Sequence, residues 1–294
     1  MSQALLISPV ATTVIRKCGT RTTLLIGVFF EAASFICASF STRIWHLFLS
    51  QGLLFGWGSG FLFTGSIGIL SQWFDRRRSL ANGISASGSG FGGLTYNLAT
   101  NAMIQNLGLP WAFRILAIIS FVVNLICALL LKDRNKQVGA KVVGFDAKLF
   151  RRPEFYLMLG YGFFSMMGYT VLIYSIPNYA RSVGMTAKQG SIVGAILNLG
   201  QGIGRPPIGY FSDTFGRINM AGATTFFSAV MVLLVWVNAK SFGVLIFYAL
   251  VGGTVAGTFW TTVAPVMAEV IGLQDLPAGL SIMWIVLSFP TTCK

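Results

Sequence analysis

Apolar runs about 20 residues long recur along the whole chain, and that length crosses a bilayer core at 1.5 Å rise per residue. After a partial span at about 3–15, fuller spans are expected at 22–40, 44–70, 80–104, 111–131, 155–179, 189–211, 220–237 and 242–270. A last run opens near Leu276 and continues into Lys294. None shows the alternation over roughly ten residues that a closed membrane β-barrel requires. Hydrophobic residues make up 54% and charged residues 10% of the chain, too little charge to cover a soluble surface. The expected fold class is therefore an all-α, multi-pass integral membrane protein lying in a lipid bilayer.

Basic residues orient the spans. One side carries Arg16, Lys17 and Arg21, then Arg76, Arg77 and Arg78, then the cations between Lys132 and Arg152, then Arg217. The alternate side has only Arg43, Arg114, Arg181, Lys188 and Lys240. Positive charge accumulates on the cytoplasmic face, so the first set is expected there. The net charge of +13 is thus spread over short connectors, a placement that argues against nucleic acid as a partner. The longest polar connector predicts an N-terminal helical bundle at 1–131, a cytoplasmic linker at 132–153 and a C-terminal bundle at 154–294.

Arg205 lies inside a run otherwise made of small, apolar and amide residues. A cation there costs about 3 kcal/mol unless it faces a protein-lined cavity, so it marks a candidate ligand path. Its planar five-donor fork suits a carboxylate. Gln201 is one helical turn earlier on the same face and Asn198 about two turns earlier, and the three form a candidate substrate-binding strip. The competing reading pairs Arg205 with carbonyls or with a carboxylate such as Asp213. Glu31, mid-span, is a candidate proton relay, with a neutral acid bonded to a neighbouring helix as the alternative. Asp75, Arg76, Arg77, Arg78, Asp213 and Arg217 sit at cytoplasmic helix ends as candidate gating charges, with plain topology anchoring as the other reading. Tyr161, Tyr169, Tyr174 and Trp260 are candidates for an aromatic cavity or for simple packing.

Small residues four apart predict close helix contacts: Gly52, Gly56, Gly60, Thr64 and Gly68; Gly88 with Gly92; Ser89 with Gly93; Gly190 with Gly194; Gly200 with Gly204; Gly253 with Gly257. Pro9, Pro177, Pro206, Pro207 and Pro265 are expected to bend or end spans. Pro206-Pro207, directly after Arg205, is the most suggestive, since a kink there would free backbone carbonyls close to a positive group.

The segment from Trp73-Phe74 through Arg77-Arg78, Ala81, Gly83, Gly88 and Gly92 resembles the W-F-x-x-R-R-x-x-A-x-G-x-x-x-x-G-x-x-x-G stretch of monocarboxylate-transporter-like members of the major facilitator superfamily, especially the fungal branch. That stretch joins spans four and five on the cytoplasmic side. The loop from Asp213 to Arg217 is similar to the superfamily's D-x-x-G-R loop between spans eight and nine. The loop from Arg16 to Arg21 resembles the one between spans two and three, and the stretch from Glu269 to Leu280 the connection between spans ten and eleven. The resemblance implies a two-bundle fold of which this chain holds about spans 2 to 11 of 12, beginning in the second and ending in the eleventh. It also implies a carboxylate-binding arginine followed by proline in span eight, which Arg205-Pro206 matches. Proton-coupled animal members carry an aspartate four residues before that arginine, where this chain has Gln201.

The function expected from these features is secondary transport of a small organic anion, such as a monocarboxylate or related metabolite, by alternating access. Symport with protons is one form of it, and the plasma or vacuolar membrane is the expected site. The alternative is a non-transporting membrane protein lacking the helices needed for activity. No enzyme, cofactor or metal is expected. His46 is the only histidine, the cysteines Cys18, Cys37, Cys127 and Cys293 have no paired or metal-like spacing, and the glycine-rich run after Arg78 lacks the Lys-Ser/Thr of a P-loop.

Overall fold

A computed structural model describes residues 2–292; Met1, Cys293 and Lys294 lie outside the described residues, as do the side chains of Asn97, Pro177 and Ala187. The chain opens with α1 (Ser2–Leu6), α2 (Ser8–Cys18), α3 (Thr20–Ser39) and α4 (Ile44–Leu47). A π-helical turn (Phe48–Leu54) leads into α5 (Phe55–Ile67) and α6 (Ile69–Trp73). Two long helices follow, α7 (Arg78–Leu107) and α8 (Leu109–Leu130). The linker holds α9 (Asn135–Val138) and a 3-10 turn (Ala147–Arg151). Then come α10 (Pro153–Ser182), α11 (Ala187–Phe215) and α12 (Arg217–Met231), the last continued by a π-helical turn (Val232–Trp236). The described residues end with α13 (Phe242–Val255), α14 (Thr258–Ile271) and α15 (Leu276–Thr292).

Local chemistry sets these boundaries. At the start of α11, Thr186 Oγ1 accepts the Gln189 N–H at 3.3 Å and Gln189 Oε1 accepts the Thr186 N–H at 2.9 Å. This reciprocal capping box satisfies two otherwise orphaned groups. Ser241 caps α13 by accepting the Val244 N–H. Gly216, at φ +97°, turns the chain between α11 and α12, a backbone region that disfavours residues with a Cβ.

Among the described residues, six helices are long and apolar enough to cross a membrane: Thr20–Ser39, Ile44–Trp73, Leu109–Leu130, Pro153–Ile176, Arg217–Trp236 and Phe242–Ile271. The runs expected at 80–104 and 189–211 are helical too, as α7 and α11, but they fall below the other six in hydropathy. Their buried polar residues include Asn82 and Ser87 of α7 and Gln201 and Arg205 of α11. Large apolar side chains stand outward elsewhere, including Leu130 at 75%, Leu157 at 76% and Phe226 at 73% exposure. Such side chains would carry a heavy cost against water and none against lipid.

The contacts divide the chain into two compact units interleaved along the sequence. The first comprises Met1–Trp73, Ala99–Leu159 and Met267–Cys293; the second, Phe74–Leu98 and Gly160–Val266. They follow packing and do not track the sequence halves expected on either side of 132–153. In the first unit, Leu24 and Val28 of α3 pack on Ala128 of α8, with Phe121 and Leu125 around them. Gly56 and Gly60 let α5 approach α1 and α2, since a Cβ at Gly60 would sit 2.5 Å from the Ala4 carbonyl. Trp284 of α15 is fully buried, its ring 4.9 Å from Phe63. The linker is pinned in this unit by Lys141 Nζ to Asp275 at 3.0 Å and by Gln72 Nε2 to Asn135 Oδ1 at 2.7 Å.

The second unit has its apolar core among Leu172 and Ile176 of α10, Val193 and Leu197 of α11, and Leu245, Tyr248 and Ala249 of α13. Gly200 and Gly204 press α11 onto α13, so the Gly200–Gly204 spacing serves the contact the sequence suggests. On α7 one expected pair meets α11, Ser89 bonding to Arg205 and Gly93 lying against Asn198, and the other does not. Gly88 and Gly92 face open space, whereas Gly83 and Gly90 meet α11, a Cβ at Gly90 falling 2.5 Å from the Gly202 amide nitrogen. Both pairs obey a helical period; only the rotation of α7 decides which one faces its neighbour.

Candidate functional site

Arg205, in the second unit, is 2% exposed. Its Nη2 donates to Gln201 Oε1 at 2.8 Å, one turn earlier on α11. Its Nη1 donates across to α7, to the Ala86 carbonyl and the Ser89 hydroxyl. All of these acceptors are neutral. The second unit contains the carboxylates Asp75 and Asp213, and both are held at helix ends. The pairing of Arg205 with Asp213 is therefore not made, although the carbonyl half of that reading is met by Ala86. Arg205 Nε and Gln201 Nε2 are buried without a hydrogen-bond partner. Unmade bonds on buried groups are costly, so these two donors stand out among the buried polar atoms of α11.

Tyr169 of α10 reaches the same place, its hydroxyl donating to Gln201 Oε1 at 3.0 Å. The sequence offers Tyr169 only as one of four aromatic candidates, because nothing local ties α10 to α11. Of the others, Tyr161 meets Phe259 at 5.8 Å between ring centres, Trp260 lies 6.4 Å from Tyr169, and Tyr174 is half exposed. Asn198 packs beside Gly90 and Gly93 of α7 and does not join the Arg205–Gln201 hydrogen bonds among the described residues.

Pro206-Pro207 does not interrupt its helix. Helix α11 runs unbroken through both prolines, and α10 runs through position 177. The prolines supply no N–H, so the carbonyls of Gly202 and Ile203 lack their helical donors without the helix ending. The break lies instead between α13 and α14, at Ala256-Gly257, where the sequence suggested one continuous span. Gly257 has φ +75°, and a Cβ there would lie 3.0 Å from both Arg205 Nη2 and the Tyr169 ring. Glycine is required for both reasons, backbone sign and space. Its role is to turn the chain beside the guanidinium; the packing role suggested by its spacing from Gly253 does not describe it.

The charges at the other end of α7 form a tight cluster. Asp213 accepts the backbone N–H groups of Ser79 and Leu80 at 3.0 and 2.9 Å. Arg217 Nε reaches Asp213 at 3.2 Å, and its Nη2 donates to the Asp75 carbonyl at 3.0 Å. Arg78 is buried and pairs with Asp75 at 3.2 Å, while Arg76 and Arg77 are exposed. Asp213 thus caps the α7 N-terminus from a distant part of the chain, where orphan amides and the helix dipole favour a negative charge. Glu31 belongs to the first unit, where its Oε2 accepts Asn124 Nδ2 at 2.7 Å between α3 and α8. Among the described residues no group of His, Cys, Asp and Glu is arranged to hold a metal.

A model of the Major Facilitator Superfamily matches the chain over residues 2–166 and again over 158–290. The chain is 32% identical to the probable transporter MCH2 of Saccharomyces cerevisiae over 88% of its own length and 56% of the relative's. It is 30% identical to the uncharacterized transporter ESBP6 of the same yeast, over 98% of its length and 45% of the relative's. The fujikurins efflux protein of Gibberella fujikuroi is 28% identical over 97% of this chain and 62% of that protein. The chain therefore spans about half the length of the curated relatives it matches. Among solved structures, a point variant of the E. coli fucose:proton symporter, FucP, superposes with TM-score 0.67 at 12% identity, covering 99% of this chain and 88% of that one. FucP in the outward conformation gives TM-score 0.74 at 14% identity, covering 99% and 80%. At that identity the likeness shows the two-bundle fold.

Proposed function

This chain belongs to the Major Facilitator Superfamily, and from that premise we propose that it carries a small organic anion, a monocarboxylate or related metabolite, across a membrane by alternating access. One observation carries the anion: a buried guanidinium whose every partner is neutral. A carboxylate fits two donors of the fork side by side, and Arg205 Nε together with Gln201 Nε2 offers unclaimed donors. The halves at 1–131 and 154–294, joined by the linker at 132–153, are the two bundles on this reading.

Binding competes with a tie inside the second unit. Arg205 holds α11 to α7 through Ala86 and Ser89. A carboxylate that draws the guanidinium toward itself weakens that tie, so occupancy and helix contact are linked. The charges of Asp75, Arg78, Asp213 and Arg217 gate the cytoplasmic end on the same reading, and release of the α7 cap accompanies opening. With Gln201 in place of an acid, the site itself holds no carboxylate to carry a proton, so proton symport requires a group elsewhere.

The test is uptake of radiolabelled acetate, lactate, pyruvate and benzoate by the protein reconstituted in liposomes. At least one acid shows saturable uptake, and Arg205→Gln lowers its kcat/KM by tenfold or more, about 1.4 kcal/mol or above. Saturable uptake unaffected by Arg205→Gln overturns the assignment, and so does the absence of saturable uptake for all four acids. Fractionation of a tagged chain decides between the plasma and vacuolar membranes.

A further inference from the structure

Gln201 Oε1 has two lone pairs and both are occupied, one by Arg205 Nη2 at 2.8 Å and one by the Tyr169 hydroxyl at 3.0 Å. That double acceptance orients the carboxamide. Its oxygen is the end shared by the two donors, and its Nε2 is the buried end without a partner. The two donors come from different helices, α11 and α10. They respond differently to a ligand, because only the guanidinium is drawn toward an anion.

We propose that Tyr169 is a positioning residue for anion binding, acting through Gln201. When a carboxylate recruits the guanidinium, the Arg205–Gln201 bond weakens and the Tyr169 hydroxyl is the remaining donor on Gln201 Oε1. It keeps the carboxamide from rotating, so Gln201 Nε2 stays presented as the second donor to the ligand. The ring of Tyr169 is located by Trp260, 6.4 Å away, and by the glycine at 257, whose missing side chain leaves room for it beside Arg205. This inference rests on the proposed anion site.

The experiment is a double-mutant cycle on uptake of whichever radiolabelled acid shows saturable transport. Tyr169→Phe keeps the ring and removes only the hydroxyl. It raises KM about fivefold, the size of one lost hydrogen bond, and leaves kcat within about twofold. Gln201→Met raises KM more, and adding Tyr169→Phe to it changes nothing further, because the tyrosine has lost the group through which it acts. A Tyr169→Phe protein with unchanged KM overturns the proposal, and so do additive effects in the double variant.

If Gln201→Met does not accumulate in the membrane, Gln201→Glu replaces it. That variant has no Nε2 for the hydroxyl to hold in place, so the Tyr169→Phe penalty disappears in its background, and persistence of the penalty overturns the proposal. Arg205→Gln is measured alongside. Its failure to reduce uptake removes the anion site itself, whereas additive Tyr169 and Gln201 effects with Arg205 still required remove only the positioning role.

Discussion

The carboxylate of Asp213 accepts the backbone N–H of Leu80 at 2.9 Å across 133 positions of sequence. With the Ser79 bond beside it, one side chain at the end of α11 completes the first turn of α7. The Asp213 side chain is 7% exposed, so both bonds are largely shielded from water.

Asp213→Asn removes the charge and one of the two acceptor oxygens. It lowers stability by about 2 kcal/mol, read as the thermal unfolding midpoint in detergent, because charge-assisted bonds to helix amides are lost. Asp75→Asn has a much smaller effect, since the Asp75 side chain is 94% exposed and surface pairs contribute little.

Gly257→Ala places a Cβ on a residue at φ +75° and 3.0 Å from the Arg205 guanidinium. The backbone cost alone is about 1–2 kcal/mol. Uptake falls at least tenfold, more than the same substitution at Gly243, which has open space around it. Equal effects at the two glycines contradict a role for the break beside Arg205.

Gly90→Ala forces α7 and α11 apart, because the new methyl meets backbone that cannot rotate away. A loss of about 1–3 kcal/mol is expected. Gly88→Ala, only two residues earlier and facing nothing, is neutral or raises stability by up to about 1 kcal/mol through helix propensity. Thermal midpoints of the two variants check this directly.

Glu31→Gln keeps an oxygen to accept the Asn124 amide. Transport and its pH profile are therefore unchanged, as a structural acid requires. Glu31→Leu strands the Asn124 donor and costs about 1–3 kcal/mol. A pH profile flattened by Glu31→Gln would restore the proton relay as the better reading.

Periodicity and length make the helices legible, and the i, i+4 rule alone places Gln201 beside Arg205. The positive-inside bias assigns the face that carries Asp75, Asp213 and Arg217, and Asp213 with Arg217 obeys the i, i+4 rule, but the bonds from these two to Ser79, Leu80 and Asp75 cross more than a hundred positions and leave no local trace. Two features mislead for definable reasons. Proline is the usual breaker, yet α11 absorbs Pro206-Pro207, while Gly257 looks like one member of a small-residue pair. The glycines of α7 offer several equally good stripes, and which one packs depends on how the helix is rotated against α11. Tyr169 is obscured by its company, since aromatic residues are common along the whole chain.

The low hydropathy of α7 and α11 bears on how the protein is made. The six more apolar helices can each partition into the bilayer on their own account, while these two carry amides, hydroxyls and a guanidinium that lipid does not solvate. Helix α7 leaves the ribosome roughly a hundred residues ahead of the partner that its glycine seam fits. During that interval its polar stripe needs temporary shelter, at the insertion machinery or against earlier helices. The arrival of α11 then supplies the neighbour against which Gly83 and Gly90 of α7 pack.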